Sequence, residues 1–146
     1  MRLTTRSRFG LRFMLELALN HNKGVMDIKD IARKEYISEK YLGQLVIILK
    51  SAGLVSSIRG MHGGYVLSKD PSEIKLIDII GHLEGSLEIV PCTENPSACD
   101  RASVCATREV WTKIRNSINN ILSSITLADL VKIYKEKQEA NLLYNI

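Results

Sequence analysis

Apolar side chains recur at helical spacing near the start of the chain. Phe9, Phe13 and Leu17 repeat every four residues and predict a first helix over residues 7–20. Farther along, Asp27 is a residue type that caps helix N-termini, and it predicts the start of a short second helix. The chain therefore opens as a helical domain.

A third helix is predicted directly after the second. Ser38 is a favourable N-cap, and Gly53 suits the C-terminal stop. Between them one helix face is apolar, with the i, i+3, i+4, i+7 spacing of Leu42, Leu45, Val46 and Leu49. Two helices joined by a short turn, the second with a polar outer face, match a helix-turn-helix.

Two short segments with strand character come next. Residues 54–58 and 65–67 have β-type composition, and the glycine-rich basic loop 59–64 joins them. This pattern predicts a hairpin, and a hairpin directly after a helix-turn-helix is the order of a winged helix. An ordinary surface hairpin packed on helices is the alternative. We expect a mainly α fold with a small β-hairpin wing.

The second half of the chain is predicted as helix, loop, long helix and closing helix. A helical stretch ends near Gly85, a long helix starts near Ala106, and Thr126 with Asp129 can form a capping box. The tail from residue 139 is expected to fray. We divide the chain into a winged helix-turn-helix DNA-binding domain (1–84, wing about 54–67), a cysteine-bearing loop (85–105), a dimerisation helix with a closing helix (106–138) and a tail (139–146).

An apolar seam runs along the predicted long helix. Its members recur at spacings of 3, 4, 3 and 4 residues, and they are Trp111, Ile114, Ile118, Ile121 and Ile125. One interpretation packs this seam on the chain's own winged domain. The spacing favours a homodimer instead, in which the two winged domains bind the two halves of a palindromic operator in double-stranded DNA.

Composition narrows the classes of function. The longest aliphatic run, residues 45–49, is far shorter than the roughly 20 apolar residues of a membrane span, and no secretion signal is evident. We therefore expect a cytoplasmic, bacterial, nucleoid-associated protein without membrane contact. Residues 1–70 carry a net charge of +6 and residues 71–146 carry −2. The basic half indicates a polyanionic partner such as nucleic acid.

Three cysteines lie within fourteen residues of one another, at Cys92, Cys99 and Cys105. Thiolates are soft ligands for zinc, copper(I) or iron–sulfur clusters, and wide spacings within one loop suit a cluster better than a single zinc ion. A thiol redox switch and inert cysteines are the other interpretations. No nucleophile elbow, phosphate loop or carboxylate–base pair is present, so an enzyme is not expected.

Three segments carry a resemblance to a known family: residues 1–10, residues 37–45 and the Gly-Leu-Val-Ser-Ser-Ile-Arg-Gly-Met-His-Gly-Gly-Tyr of residues 53–65. They are similar to the IscR-type family, which are winged-helix transcription regulators that sense iron–sulfur status. The likeness extends to about residue 135. It implies a dimer crossed by the long helix and a cluster held by the three cysteines, with [2Fe-2S] favoured over [4Fe-4S].

The chain departs from the family pattern at the fourth cluster ligand. Arg108 occupies the position of the family histidine, and Arg8 occupies that of an acidic ligand in nitric-oxide-sensing relatives. Guanidinium offers no lone pair, so neither arginine can serve. The fourth ligand is left open among a partner-chain group, an exogenous ligand and nearby side chains: Glu94, Asp100, Thr107 and His82.

We expect three groups of residues to meet DNA. The third helix enters the major groove with Ser38, Lys40, Tyr41 and Gln44. The wing contributes Arg59, which resembles the family's base-reading arginine, together with Gly60 and His62. Three N-terminal arginines are placed to meet phosphates, namely Arg2, Arg6 and Arg8.

The predicted function is a dimeric, sequence-specific DNA-binding regulator of transcription, acting as a repressor, whose activity is set by an iron–sulfur cluster. By resemblance, its targets are genes of cluster biogenesis, and the cluster-assembly machinery is the donor. The alternative is a winged-helix regulator without a cluster, responsive to thiol redox state or to a small molecule. Relatives that regulate cysteine metabolism lack the cysteine trio.

Overall fold

The computed structural model describes residues 2–145, which are mainly helical with a two-stranded antiparallel sheet. The elements are α1 (Thr5–Leu19), α2 (Ile28–Glu35), α3 (Glu39–Ser51), β1 (Val55–Ile58), β2 (Gly64–Leu67), α4 (Leu76–Glu84), α5 (Ala106–Ser124) and α6 (Leu127–Tyr144). The predicted mainly α winged helix-turn-helix fold is confirmed. Among the described residues no helix has the length and apolar character needed to span a membrane.

Local capping sets the geometry of the helix-turn-helix. The Asp27 side chain accepts from the Lys29 N–H at the start of α2, and the Ser38 hydroxyl accepts from the Tyr41 N–H at the start of α3. Tyr36 ends α2 in the left-handed conformation, with φ 55°, which turns the chain sharply into α3. The turn thus follows from two N-caps and one left-handed residue.

The wing is tied to the helical domain through its second strand. β1 and β2 pair antiparallel from Val55 opposite Leu67 to Ile58 opposite Gly64. Met26, which precedes α2, exchanges both backbone hydrogen bonds with Tyr65 at 3.0 and 2.9 Å. A Cβ on Gly64 would lie 2.5 Å from the Met26 carbonyl oxygen, so this close backbone approach requires glycine.

The core lies between α1, α3 and α4, and α6 closes it. Phe13, Leu42 and Ile79 are fully buried there, and Leu127 at the start of α6 is buried with them. Helices α1 and α4 are packed so closely that a Cβ on Gly10 would lie 2.4 Å from the Leu83 side chain. Because Leu127 is buried in this core, the closing helix α6 packs onto the winged domain.

The long helix is one residue shorter than its apolar seam requires. Ile125 follows the end of α5 in extended conformation, with φ −108° and ψ 128°, and its carbonyl accepts from the Leu76 N–H. The Leu127 N–H donates to the Ile74 carbonyl in the same connection. Inclusion of Ile125 in the helical seam was therefore wrong, because backbone pairing with the segment before α4 ends the helix and turns Ile125 toward the core.

The closing helix begins where predicted and ends later than predicted. Thr126 and Asp129 form the expected capping box. Helix α6 continues to Tyr144, whereas fraying was expected from residue 139. The added turns contain Glu139, Ala140, Leu142 and Leu143, which favour helix and contain no glycine or proline.

Candidate nucleic-acid interface and cysteine loop

The outer face of α3 presents polar side chains to solvent. Lys40 and Gln44 are exposed, and Ser38 is exposed although its hydroxyl also caps the helix. Tyr41 is half-buried, and its hydroxyl lies 2.9 Å from the Thr5 hydroxyl on α1. Tyr41 therefore joins the start of α3 to the start of α1. The sequence predicted only a DNA contact for Tyr41 and not this contact within the protein.

The N-terminal arginines lie around this junction. Arg2, Arg6 and Arg8 are all exposed, and Arg6 directly follows Thr5. The Arg8 guanidinium carbon lies 6.0 Å from the centre of the Phe9 ring, which is the outer range of a cation–π contact. Among residues 2–145 no ion pair involves these three arginines, so their charge is available to a phosphate backbone.

The wing tip is an exposed basic loop. Arg59, Gly60, Met61 and His62 are all exposed, and Gly60 adopts φ 123°. A Cβ on Gly63 would lie 2.2 Å from the Ile58 carbonyl oxygen, so the tight turn depends on glycine. The loop projects one guanidinium and one imidazole beyond the sheet, without an ion-pair partner among the described residues.

The three cysteines differ in their surroundings. Cys92 is buried, Cys99 is exposed and Cys105 is half-buried, and all three thiols are free. Cys99 and Cys105 line the same pocket together with Arg101 and Thr107. Within residues 2–145 no three His, Cys, Asp or Glu side chains are placed together as for a metal ion. The expected three-thiol ligand set is thus not gathered in this conformation.

Cys105 lies where hydrogen bonds from neighbouring residues reach its sulfur. It directly precedes α5, and its Sγ lies 3.2 Å from the Thr107 hydroxyl. The hydrogen bond from the Thr107 side chain, followed by that from the Arg108 backbone N–H, lowers the pKa of Cys105 from its ordinary value. A lowered pKa increases the thiolate fraction, which is the form that binds metals and attacks electrophiles.

Arg108 has a structural role at the position of the family's histidine. Its Nε donates to the Cys92 carbonyl over 3.0 Å, which joins α5 to the cysteine loop. Glu94 faces Arg115 at 3.7 Å, and exposed His82 lies with Nδ1 2.6 Å from the Asp78 carbonyl oxygen. Thr107 is engaged with Cys105. Of these candidate fourth ligands, Thr107 lies beside two of the cysteines, because it lines the pocket that Cys99 and Cys105 share.

The donor chemistry of the loop nevertheless fits an iron–sulfur cluster. Three unpaired thiols lie in one segment of turns and short 3₁₀ helices, and one of them has a lowered pKa. A cluster would require Cys92 to move from its buried position toward the pocket that Cys99 and Cys105 already share. The loop thus provides three sulfur donors, and Arg108, at the position of the family's histidine, cannot provide the fourth ligand.

An apolar strip on α5 is exposed in the single chain. Trp111, Ile114 and Ile121 are 38%, 40% and 56% exposed, and Ile118 is half-buried between them. Helix α5 has no buried residue along its 19 positions. A contiguous exposed apolar strip of this kind is typical of a protein–protein interface.

Sequence reasoning missed two residues that shape the interface, Thr5 and Glu84. Thr5 contacts Tyr41, and Glu84 at the end of α4 accepts hydrogen bonds from Thr4 and Ser7 at the start of α1. Both contacts join positions far apart in sequence. No spacing rule within a single element could have found them.

The fold and its basic surfaces define a winged-helix DNA-binding transcriptional regulator. The sequence pattern of the Rrf2 family, described as an iron-dependent transcriptional regulator, matches residues 3–133, and the chain belongs to this family. The HTH-type transcriptional regulator CymR of Bacillus subtilis (strain 168) is 42% identical over 144 residues, which cover 99% of each chain. The function is therefore regulatory and not enzymatic.

Two solved structures agree with this assignment. The structure of CymR (YrzC), described as the global cysteine regulator of B. subtilis, has a TM-score of 0.79 at 42% identity and covers 91% of this chain and 98% of that one. The structure of T. potens IscR has a TM-score of 0.78 at 39% identity and covers 94% and 91%. The resemblance to IscR-type regulators is confirmed, and the family includes a cysteine regulator as well.

Proposed function

We propose that this protein is a homodimeric repressor whose affinity for operator DNA depends on an iron–sulfur cluster bound by Cys92, Cys99 and Cys105. The observation that carries the proposal is the set of three unpaired thiols in one loop directly before α5. The iron-dependent description of the family supports it. By family likeness the cluster is [2Fe-2S], donated by the assembly machinery whose genes are the expected targets.

The winged helix-turn-helix domain (residues 1–84), which we call the head, supplies sequence recognition. Gln44 can pair with an adenine edge, Lys40 with guanine or a phosphate, and Arg59 with a base edge beyond the wing. The exposed arginines of the N-terminus, Arg2 and Arg6, serve the phosphate backbone and so add affinity without sequence preference. Tyr41 links α3 to α1 through its hydrogen bond with Thr5.

The apolar strip of α5 supplies the dimer. A second copy of the chain buries Trp111, Ile114 and Ile121, whose exposure is otherwise unfavourable. Two heads on one two-fold axis then match a palindromic operator. Because the cysteine loop directly precedes α5, a change in the loop reaches the dimer helix without an intermediate element.

Arg108 and Cys105 connect the loop to α5. Arg108 donates a hydrogen bond to the Cys92 carbonyl, and Cys105 directly precedes α5, where hydrogen bonds from Thr107 and Arg108 lower its pKa. When bound, a cluster supplies a centre that is sensitive to oxidants and to iron supply. Because Arg108 cannot ligate, the fourth coordination position lacks a protein donor there, and we expect easy loss of the cofactor.

The test is purification without oxygen together with the cluster-assembly machinery. We expect a coloured protein with iron and sulfide in equal amounts, and loss of both in the Cys92→Ala, Cys99→Ala, Cys105→Ala variant. A duplex selected from a random-sequence library by the wild-type protein then serves as DNA probe. A colourless, iron-free wild-type protein, or equal operator affinity of the triple variant, contradicts the proposal.

A second candidate function is a thiol redox switch without a cluster, and the pocket shared by Cys99 and Cys105 favours it. The Cys105 thiolate attacks a hydroperoxide to form a sulfenic acid and release an alcohol. The Cys99 thiol then displaces water to form a disulfide. Peroxide treatment of metal-free protein followed by peptide mass spectrometry tests this. A Cys99–Cys105 disulfide that changes operator affinity supports the switch, and unmodified thiols exclude it.

A further inference from the structure

One carboxylate joins the end of α4 to the start of α1. The Thr4 backbone N–H donates to Glu84 Oε1 over 2.9 Å, and the Thr4 hydroxyl lies 3.0 and 3.1 Å from Oε1 and Oε2. The buried Ser7 hydroxyl donates to Oε1 at 2.5 Å. Glu84 therefore satisfies three donors that lie at the N-terminus of a helix 77 to 80 positions away in sequence.

The contact between Glu84 and the start of α1 is strong and closely packed. An anionic group at a helix N-terminus is favourable, and hydrogen bonds to a carboxylate are stronger than those to a neutral acceptor. Burial alone raises the pKa of Glu84, but hydrogen bonds from Ser7 and Thr4 outweigh it and hold the pKa below its ordinary value. Below this contact, the Leu83 side chain packs directly on Gly10 without space for a Cβ.

The position of Glu84 along the chain connects two functional segments. Gly85 ends α4 with φ 79°, and the cysteine loop begins there. On the other side of the carboxylate lie the first residues of α1, where Arg6 is exposed and Thr5 contacts Tyr41 of α3. Glu84 is thus the last helical residue before the loop and the anchor of the segment that faces DNA.

We propose that Glu84 is a positioning residue that fixes the DNA-facing start of α1 and transmits the state of the cysteine loop to it. This inference rests on the proposed function, because it takes the loop as the sensor. A rearrangement of the loop displaces the end of α4, and the three hydrogen bonds carry the displacement to the exposed arginines near Thr4. The coupling requires no contact between the cysteines and the DNA.

The test compares Glu84→Gln with Asp78→Asn, which removes an exposed carboxylate from the same helix. For Glu84→Gln we expect backbone hydrogen exchange of residues 4–8 to rise at least tenfold, by mass spectrometry. We also expect affinity for the selected duplex to fall at least fivefold, whereas Asp78→Asn leaves both unchanged. Unchanged exchange of residues 4–8 overturns the positioning role. If Glu84→Gln melts below the assay temperature, Ser7→Ala provides the same readouts, because it removes a hydrogen bond to Glu84 and retains both the carboxylate and the Thr4 N-cap of α1.

A double-mutant cycle tests the transmission. The alanine variant of all three cysteines is measured in the wild-type and the Glu84→Gln backgrounds. We expect its effect on affinity to shrink below twofold when Glu84 is replaced. An effect of equal size in both backgrounds overturns the transmission role and leaves the proposed function intact. If the cysteine variant binds DNA like the wild type, the proposed function fails, and the transmission role fails with it.

Discussion

The head and the region formed by the cysteine loop and α5 (residues 85–124) differ in how much of their surface is buried. Helix α1 buries seven of its fifteen residues, among them Phe13 and Met14. Helix α5 is longer, with nineteen residues, and buries none. The difference shows which part is complete within one chain. The head has its own core, whereas α5 presents Trp111 and Ile114 to solvent, with no cover for them from the described residues 2–145.

The two halves also differ in how their polar groups are placed. In the head, the buried Glu16 carboxylate accepts a hydrogen bond from Lys34 over 2.7 Å. In the other half, the Thr112 hydroxyl on α5 is buried without a hydrogen-bond partner among the described residues. A satisfied buried polar group indicates a finished arrangement. The unsatisfied Thr112 hydroxyl lies on the helix that also carries the exposed apolar strip.

The largest expected effect comes from the core of the head. Phe13→Ala removes a fully buried ring that contacts the edge of Tyr65, with ring centres 6.2 Å apart. We expect the free energy of unfolding to fall by about 3–5 kcal/mol, measured by urea denaturation. Leu143→Ala, at an exposed position of α6, is the control and should cost little. A loss below about 1 kcal/mol for Phe13→Ala contradicts a closed core in the head.

A charge on the apolar strip of α5 should separate the copies without unfolding the head. Ile114→Glu places like charges near each other across a two-fold interface, which costs several kcal/mol. We expect sedimentation equilibrium to report a mass near 16.4 kDa, with the helical circular dichroism retained. Lys113→Glu, one residue along the helix, is the matched control. A wild-type protein that is already monomeric, or a dimeric Ile114→Glu variant, disproves the interface.

Features of the head could be predicted because they depend on short-range chemistry. Asp27 and Ser38 cap their helices as side-chain type suggests, and the apolar stripe ending at Leu49 is buried as its spacing requires. The hairpin follows from strand-forming residues around a glycine-rich loop. Each of these signals lies within about a dozen residues, so the sequence alone contains the interaction that decides the structure.

Other features depend on contacts between distant segments and were not predictable. The heptad-like spacing continues through Ile125, but pairing of its carbonyl with the Leu76 N–H ends α5 one residue earlier. The link from Glu84 to Thr4 spans 80 positions. Likewise, the spacing of the three cysteines along the chain does not determine where their sulfur atoms lie. In the structure Cys92 is buried, whereas Cys99 is exposed.

Two arginines should distinguish specific from general DNA contacts. Arg59→Ala is expected to weaken the selected duplex by about 1–3 kcal/mol and to leave a scrambled duplex nearly unaffected. Arg6→Ala should weaken both duplexes alike and reduce the salt dependence of binding by about one phosphate contact. Fluorescence anisotropy at several salt concentrations measures both. Equal losses on the two duplexes for Arg59→Ala contradict its assignment to base recognition.

The smallest expected effect concerns a carboxylate pair at the junction of α1 and α2. Glu35 is held beside buried Glu16, with Arg12 4.0 Å away and Lys34 bonded to Glu16. Burial raises the pKa of Glu35 to about 7, and the hydrogen bond and repulsion from Glu16 add to the effect. The folded state therefore binds a proton that the unfolded state has already released between about pH 4.5 and 7.

It follows that stability falls as pH rises through this window, and the loss is complete above pH 7. Solvent screening at this partly exposed site limits the effect to about 1 kcal/mol. Glu35→Gln fixes the neutral form, so the variant should be as stable as the wild type near pH 5 and more stable at pH 8. Urea midpoints at four pH values measure this. Glu136→Gln, at an exposed position of α6, should keep the wild-type slope. If the Glu35→Gln variant keeps the wild-type dependence of stability on pH, Glu35 does not have the raised pKa that its surroundings in the folded state give it.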